Sequence, residues 1–265
     1  MLRGIDVSSH QPTIDWGRVA VDYGFAIVKC TGGAWYRNPE YAAQLAGARA
    51  AGLVVGHYHF AHEGEDPGPG AAAEADYFLA HADVRPGELV ALDIEDTGVA
   101  GDLSGWALAW LERVGAALGC RPLLYSYPDY IRTRGLGTPA LAAYPLWFAS
   151  YRTPYAMQPW PSAPGRWGRI AIWQWSGGTA VPGIPNDTDD NLTGLTREGL
   201  IALGRPGAAP APAGVVTERI DWGGAGEVVA SAEYVVVRNP ATGRVYCRRR
   251  TDGTLGEWVE LTREG

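Results

Sequence analysis

The sequence predicts an α/β protein built on a parallel sheet, open or closed into a barrel, with a small β module behind it. Three observations predict it. Short apolar runs alternate with helical segments up to about residue 200, the pattern of parallel β-α units. Nearly every apolar run ends in a polar or aromatic side chain. A Pro/Ala/Gly stretch at 205–214 then sets off the last fifty or so residues as a separate piece joined by a semi-rigid linker.

The strand-like runs, in order, are Arg3–Val7, Phe25–Cys30, Leu53–His59, Leu89–Ile94, Pro122–Ser126, Pro145–Ala149 and Arg169–Trp175. Between them, Asn38 has N-cap chemistry with Pro39 at the first helical position, and Gly52 closes that helix. Ala71–Ala82 is helical by composition. Ser104–Leu118 has helical apolar spacing, with Gly119 as its stop. Beyond the linker, Glu233–Arg238 and Arg244–Arg250 read as two strands around the turn Asn239–Gly243. The organisation is therefore a main domain over 1–204, a linker over 205–214 and a β-rich module over 215–265.

Composition narrows the function. The 46% apolar content of 265 residues supports a full core, and a net charge of −7 argues against a nucleic-acid partner. Cys30, Cys120 and Cys247 show neither metal-ligand spacing nor a disulfide framework. Met1 to Asp6 leads straight into a strand-like run without signal-peptide character, and no long apolar span follows. We therefore expect a protein made in the cytoplasm that does not insert into a membrane. Eleven Trp and thirteen Tyr stand against four Phe. Trp and Tyr join a broad apolar face to a polar handle, which suits a cleft that stacks sugar rings, although large cores use them too.

The run ends carry the chemistry. They hold Asp6, Lys29 with Thr31, Tyr58 with His59, Asp93 with Glu95, Tyr125 with Ser126, Trp147 with Ser150, and Gln174 with Trp175. Active sites of barrels and open α/β sheets lie at these carboxyl ends, so a polar, aromatic-lined cleft is predicted there. Asp93 and Glu95 stand two residues apart on one strand, so they face one space with Cα atoms about 6.6–6.8 Å apart. Two carboxylates around one bond are the usual equipment for cleaving a glycosidic linkage.

Each feature has a plainer reading. An isolated Asp-x-Glu is commonly a strand running into an acidic turn. Asp6 alone reads as a turn or cap residue. Asp189, within Asn186–Asn191, reads as part of an Asp-rich turn or a calcium loop, although the Gly and closing Glu of an EF-hand loop are missing. His57 and His59 form a possible metal pair, but no His follows His81 and the zinc ligand set is incomplete. No metal or other cofactor is expected. Gly-x-Ser-x-Gly, a phosphate loop and a nucleophilic-cysteine context are all missing from the sequence.

Taken in order, the motifs Gly4-Ile5-Asp6-Val7-Ser8, Ile14-Asp15-Trp16, Phe25-Ala26-Ile27-Val28-Lys29, Ala51-Gly52-Leu53, Tyr58-His59-Phe60, Ala75-Asp76-Tyr77-Phe78, Leu92-Asp93-Ile94-Glu95, Trp173-Gln174 and Asp189-x-Asn191 resemble those of the family 25 glycoside hydrolases. These are N-acetylmuramidase lysozymes of the type found in phage endolysins. The resemblance runs from about Gly4 to Leu195. It implies an irregular, flattened (β/α) barrel resembling a TIM barrel, and catalytic residues Asp6, Asp93, Glu95 and Asp189. It also implies that Lys29, Tyr58, Tyr125, Trp147, Trp173 and Gln174 bind the sugar. Two departures fall at the cleft rim. Gly32-Gly33 stand where family members usually carry an acid, and Glu63–Gly70 is locally altered.

The activity implied is hydrolysis of bacterial peptidoglycan at the β-1,4 bond between N-acetylmuramic acid and N-acetylglucosamine, with retention. Glu95 is the expected general acid, its pKa raised by burial and by repulsion from Asp93 and Asp6. Asp93 either attacks the anomeric carbon or orients the 2-acetamido group. Two rival readings are a non-catalytic glycan-binding protein and a glycosidase acting on chitin or another N-acetylated polymer. The arrangement also resembles endolysins in placing a module after a linker, which implies a cell-wall ligand for 215–265 and action on the wall after release from a host cytoplasm. Trp222, Tyr234, Tyr246 and Trp258 could stack on sugars there, but a module this small needs aromatics for its own core.

Overall fold

The structure, a computed structural model, describes residues 1–62, 70–151 and 160–205, together with the backbone of five short strands in the remainder. The chain divides into two compact units, Met1–Ala208 and Ala209–Gly265. The altered segment at 63–69, the linker and the side chains of Trp222, Tyr234, Tyr246 and Trp258 lie outside the described residues.

The first unit runs β1 (Leu2–Val7), α1 (Trp16–Asp22), β2 (Phe25–Gly32), β3 (Tyr36–Arg37), α2 (Tyr41–Ala50), β4 (Val54–Phe60), α3 (Ala71–His81), β5 (Leu89–Asp93), α4 (Ser104–Leu118), β6 (Leu123–Ser126), α5 (Pro128–Thr133), α6 (Pro139–Ala142), β7 (Leu146–Ala149), β8 (Ile172–Thr179), β9 (Thr188–Thr193) and α7 (Arg197–Leu203). Strands β1, β2, β4, β5, β6, β7 and β8 pair in parallel around the ring. Strand β9 pairs antiparallel with both β8 and β1 and closes it. The result is a flattened eight-stranded (β/α) barrel of TIM type with one reversed strand. In the second unit, β10 (Val228–Ala230), β11 (Tyr234–Arg238), β12 (Val245–Thr251), β13 (Thr254–Leu255) and β14 (Val259–Glu260) form antiparallel pairs. No helix among the described residues is long and apolar enough to cross a membrane.

Local chemistry sets the helix ends. The Asp15 carboxylate accepts from Arg18 N–H at the start of α1, and the Thr138 and Thr196 hydroxyls do the same for α6 and α7. Helix α4 stops at Gly119, in the left-handed region that glycine favours. Two expectations shift. Asn38 Oδ1 accepts from Glu40 N–H at 3.0 Å in a turn, and the helix starts only at Tyr41. The seventh barrel strand, β8, begins at Ile172 rather than Arg169.

Strand alternation sorts the side chains into two cores. Inward-facing Phe25, Ile27, Leu89, Leu123 and Ile172 fill the end where the strands begin, and Leu200 of α7 plugs it. Outward-facing Val28, Val90, Leu92 and Leu124 meet the helices. His57 and His59 also face outward. His59 bridges Thr31 Oγ1 at 2.9 Å and Glu74 Oε2 at 2.8 Å. His57 contacts the Tyr41 hydroxyl at 2.6 Å and Glu88 Oε2 at 3.0 Å. Burial pushes His57 below its ordinary pKa, and the neutral ring accepts from the Tyr41 hydroxyl at Nδ1 and donates from Nε2 to Glu88. No cluster of three ligands able to hold a metal occurs among the described residues.

Glu88 is the ion-paired centre of that outer network. Arg49 donates to both its oxygens at 2.7 Å, and Arg85 N–H adds a third bond. Against burial, these hold its carboxyl down at about 2. A carboxyl depressed in the folded state contributes stability above its unfolded value, and that contribution fades as pH falls. Glu88→Gln should therefore cost about 3 kcal/mol at neutral pH in urea unfolding. The difference from wild type should shrink as pH falls from 4.5 to about 2. A cost that stays constant with pH would refute the ion-pair account.

Candidate active site

The polar ends of the inward-facing strand positions meet in one cavity of about 430 Å³ at the carboxyl end of the barrel. It is lined by Asp6, Lys29, Tyr58, Asp93, Glu95, Tyr125, Trp147, Gln174 and Asp189. These are nine of the ten residues predicted as catalytic or sugar-binding. Trp173 is the exception and a correction. It precedes inward-facing Gln174 on β8, so alternation turns it outward, where it is buried in the outer core with Nε1 bonded to Ser150 O at 2.8 Å.

The same parity decides among the acids of β9. Asp189 stands opposite Asp6 across the β1–β9 ladder and enters the cavity. Asp190 points the other way into the outer core, paired with Arg3 and accepting from the Tyr23 hydroxyl at 3.2 Å. On β5, regular pairing ends at Asp93. Ile94 N–H still bonds Tyr125 O at 3.1 Å, so the chain stays extended and Glu95 returns to the same side.

Asp6 is the hub of a hydrogen-bonded chain. Its Oδ2 accepts from Asn191 at 2.7 Å and Gln174 at 3.0 Å. Asn191 Oδ1 accepts from Trp147 Nε1 at 2.7 Å, which fixes the indole against Tyr58 and Tyr125. Gln174 Oε1 accepts from the hydroxyls of Tyr125 at 2.9 Å and Tyr151 at 3.1 Å. Burial first, and then the charge of Asp189, raise Asp6 well above the usual carboxylate range despite its two amide donors. Asp189 is also raised by burial, against a hydrogen bond from Asp6 and the charge of His10. The hydrogen bond between the two raises Asp6 and lowers Asp189.

Glu95 is raised to about 7, by burial first and then by the charge of Asp189, while a Tyr125 hydrogen bond and the charge of Lys29 pull it down. The charge that raises Glu95 is that of Asp189, where the sequence pointed to Asp93 and Asp6. The Lys29 ammonium sits 4.9 Å from the Tyr36 ring centroid and 4.6 Å from that of Phe60, a cation–π placement that holds it at the cavity wall.

Ser8, Ser9, His10, Tyr36, Phe60 and Tyr151 also line the cavity and were not singled out from sequence. Ser8 to His10 directly follow the Asp6 strand end, which is the signal that could have found them. Asn191, matched only as part of a motif, proves to hold Asp6. The site thus offers one carboxyl poised to give a proton near neutrality, a second beside it, and aromatic walls. Asp189→Asn should drop the Glu95 titration midpoint from about 7 toward 4.5, read by carbon NMR of the labelled carboxyl. An unmoved midpoint would remove Asp189 as the source of repulsion.

The chain has relatives in sequence and in fold. The model of glycosyl hydrolases family 25 matches residues 5–184. An N,O-diacetylmuramidase from Chalaropsis sp. is 32% identical over 213 residues, which cover 74% of this chain and 98% of that protein. Lysozyme M1 from Streptomyces globisporus is 28% identical over 219 residues, covering 76% and 71% respectively. The structure of a muramidase from Acremonium alcalophilum superposes with a TM-score of 0.65 at 25% identity, over 77% of this chain and 99% of the other. A match across most of the barrel, in sequence and in fold, shows that the chain belongs to glycosyl hydrolase family 25.

Proposed function

We propose that this glycoside hydrolase is a lysozyme that cuts the β-1,4 bond between N-acetylmuramic acid and N-acetylglucosamine in peptidoglycan, with retention of configuration. The observation that carries the reading is Glu95. It is a half-buried carboxyl lifted to about 7, in a cavity shared with Asp93 and walled by Tyr58, Tyr125 and Trp147. A general acid must be protonated before it acts and willing to lose the proton during the step. Glu95 gives its proton to the leaving glycosidic oxygen as the bond to the anomeric carbon breaks. Asp93 meets the positive charge developing on the sugar, as nucleophile or by orienting the 2-acetamido group that attacks. Water then adds at the anomeric carbon and returns a proton to Glu95. Asp6 keeps the cavity wall ordered through Gln174 and Asn191. The muramidase activities named for the relatives support the substrate.

Glu95→Gln should abolish release of reducing ends from purified peptidoglycan, by at least about a thousandfold, with folding unchanged by circular dichroism. Mass analysis should show N-acetylmuramic acid at the new ends made by wild type. The wild-type rate should fall as pH rises through about 7, because deprotonated Glu95 cannot act as the acid. Near-full activity of Glu95→Gln would sink the assignment.

The second unit we assign to wall binding, on the strength of its position after a Pro/Ala/Gly linker. A chain ending at residue 205 should still cleave soluble glycan fragments and should lose retention on intact walls in a pelleting assay. Equal pelleting of both forms would rule that role out.

A further inference from the structure

Among the described residues, the exposed large apolar side chains are Met1, Val21, Trp35, Tyr151 and Trp160. Two of the three aromatic ones, Tyr151 and Trp35, stand at the cavity. Tyr151 lines it. Trp160 packs edge-on against Trp173, 5.4 Å between centroids, beside Gln174. Trp35 is 57% exposed and meets the cavity-lining Tyr36 edge-on at 5.8 Å.

Trp35 occupies an unusual place. Register pairs Thr31 with Arg37 and Gly32 with Tyr36, so Gly33, Ala34 and Trp35 form the tip of the β2–β3 hairpin. Gly33 takes positive φ there. Such tips favour small polar residues, because water solvates them and no core covers them. A tryptophan there gains little from folding. The tip is nevertheless fixed: the Tyr77 hydroxyl of α3 donates to Trp35 O at 2.9 Å, Gly33 N–H bonds Phe60 O at 3.0 Å, and Ser9 Oγ bonds the adjoining Tyr36 hydroxyl at 2.9 Å. These bonds fix the backbone of the tip, so an indole presented there beside the cavity stacks on a sugar without the cost of ordering the loop.

We propose that Trp35 is a stacking platform for a pyranose ring of the same glycan strand, beyond the rings held in the acid cavity and on its Tyr36 side. The proposal rests on the glycan reading above and adds a subsite to it. A polymer cut in its interior must leave the cavity in both directions, and Trp35 gives it an apolar face on one of them.

The test uses full-length Glu95→Gln protein, which does not consume the ligand, with and without Trp35→Ala. Calorimetry measures binding of peptidoglycan glycan fragments of two and six sugars. Trp35→Ala should weaken the six-sugar fragment roughly five- to tenfold, leave the two-sugar fragment unchanged, and be largely rescued by Trp35→Phe. With Glu95 intact, Trp35→Ala should raise KM on long strands and leave kcat alone. Unchanged six-sugar affinity overturns the platform, as does equal weakening of both fragments or no binding of either. Strands that bind in this length-dependent way but are not hydrolysed by wild type refute the lysozyme reading while upholding the platform.

Discussion

The seam between β1 and β9 is the constraint on which the rest depends. It closes the barrel, and it sets Asp6 opposite Asp189. A strand has a side-chain period of two, so a one-residue slip of β9 would turn Asp189 out and bring Asp190 in. The outer face guards against that slip. Asp190 is fully buried there against Arg3 and Tyr23, and an unpaired buried carboxylate would be costly. The pair that locks the register therefore also aims Asp189 at Asp6. Asn191, two residues on, shares that aim and couples the seam to Trp147.

Much of the barrel was legible because its signals are local. The apolar runs, the Gly119 stop and the polar strand ends each report chemistry within a few residues. The acid pair was legible for the same reason, since Asp93 and Glu95 share a face by strand geometry alone. The resemblance supplied Asp6 and Asp189, which no local pattern joins. Strand β9 was hard to see. Its sequence, Thr-Asp-Asp-Asn-Leu-Thr, is turn-like by composition, and it forms a strand because two neighbouring strands offer it ladders. Trp173 was misplaced because a motif matches residues without asking which way each one faces. Tyr36 and Tyr151 reach the cavity from beyond the barrel strands, and sequence spacing says nothing about that reach.

Strand parity also divides the carboxylates into two kinds. Outward-facing Glu88 and Asp190 meet arginines, and Glu88 is held ionised by them. Inward-facing Asp6 is buried and Glu95 and Asp189 are half-buried around the same cavity, and all three are raised. The chain's single lysine lowers Glu95 without cancelling its burial. The sign of the linkage differs accordingly. A raised carboxyl binds more protons when folded than unfolded, so Glu95 weakens the fold as pH climbs from 4.5 toward 7. Glu88 strengthens it as pH climbs through its lower window. The outer ion pairs thus contribute stability over the range where the inner acids withdraw it. Replacing Glu95, which unlike Asp6 is not the hub of buried amide donors, by an apolar residue stabilises the barrel, because the protein no longer holds a group that prefers water in the cavity.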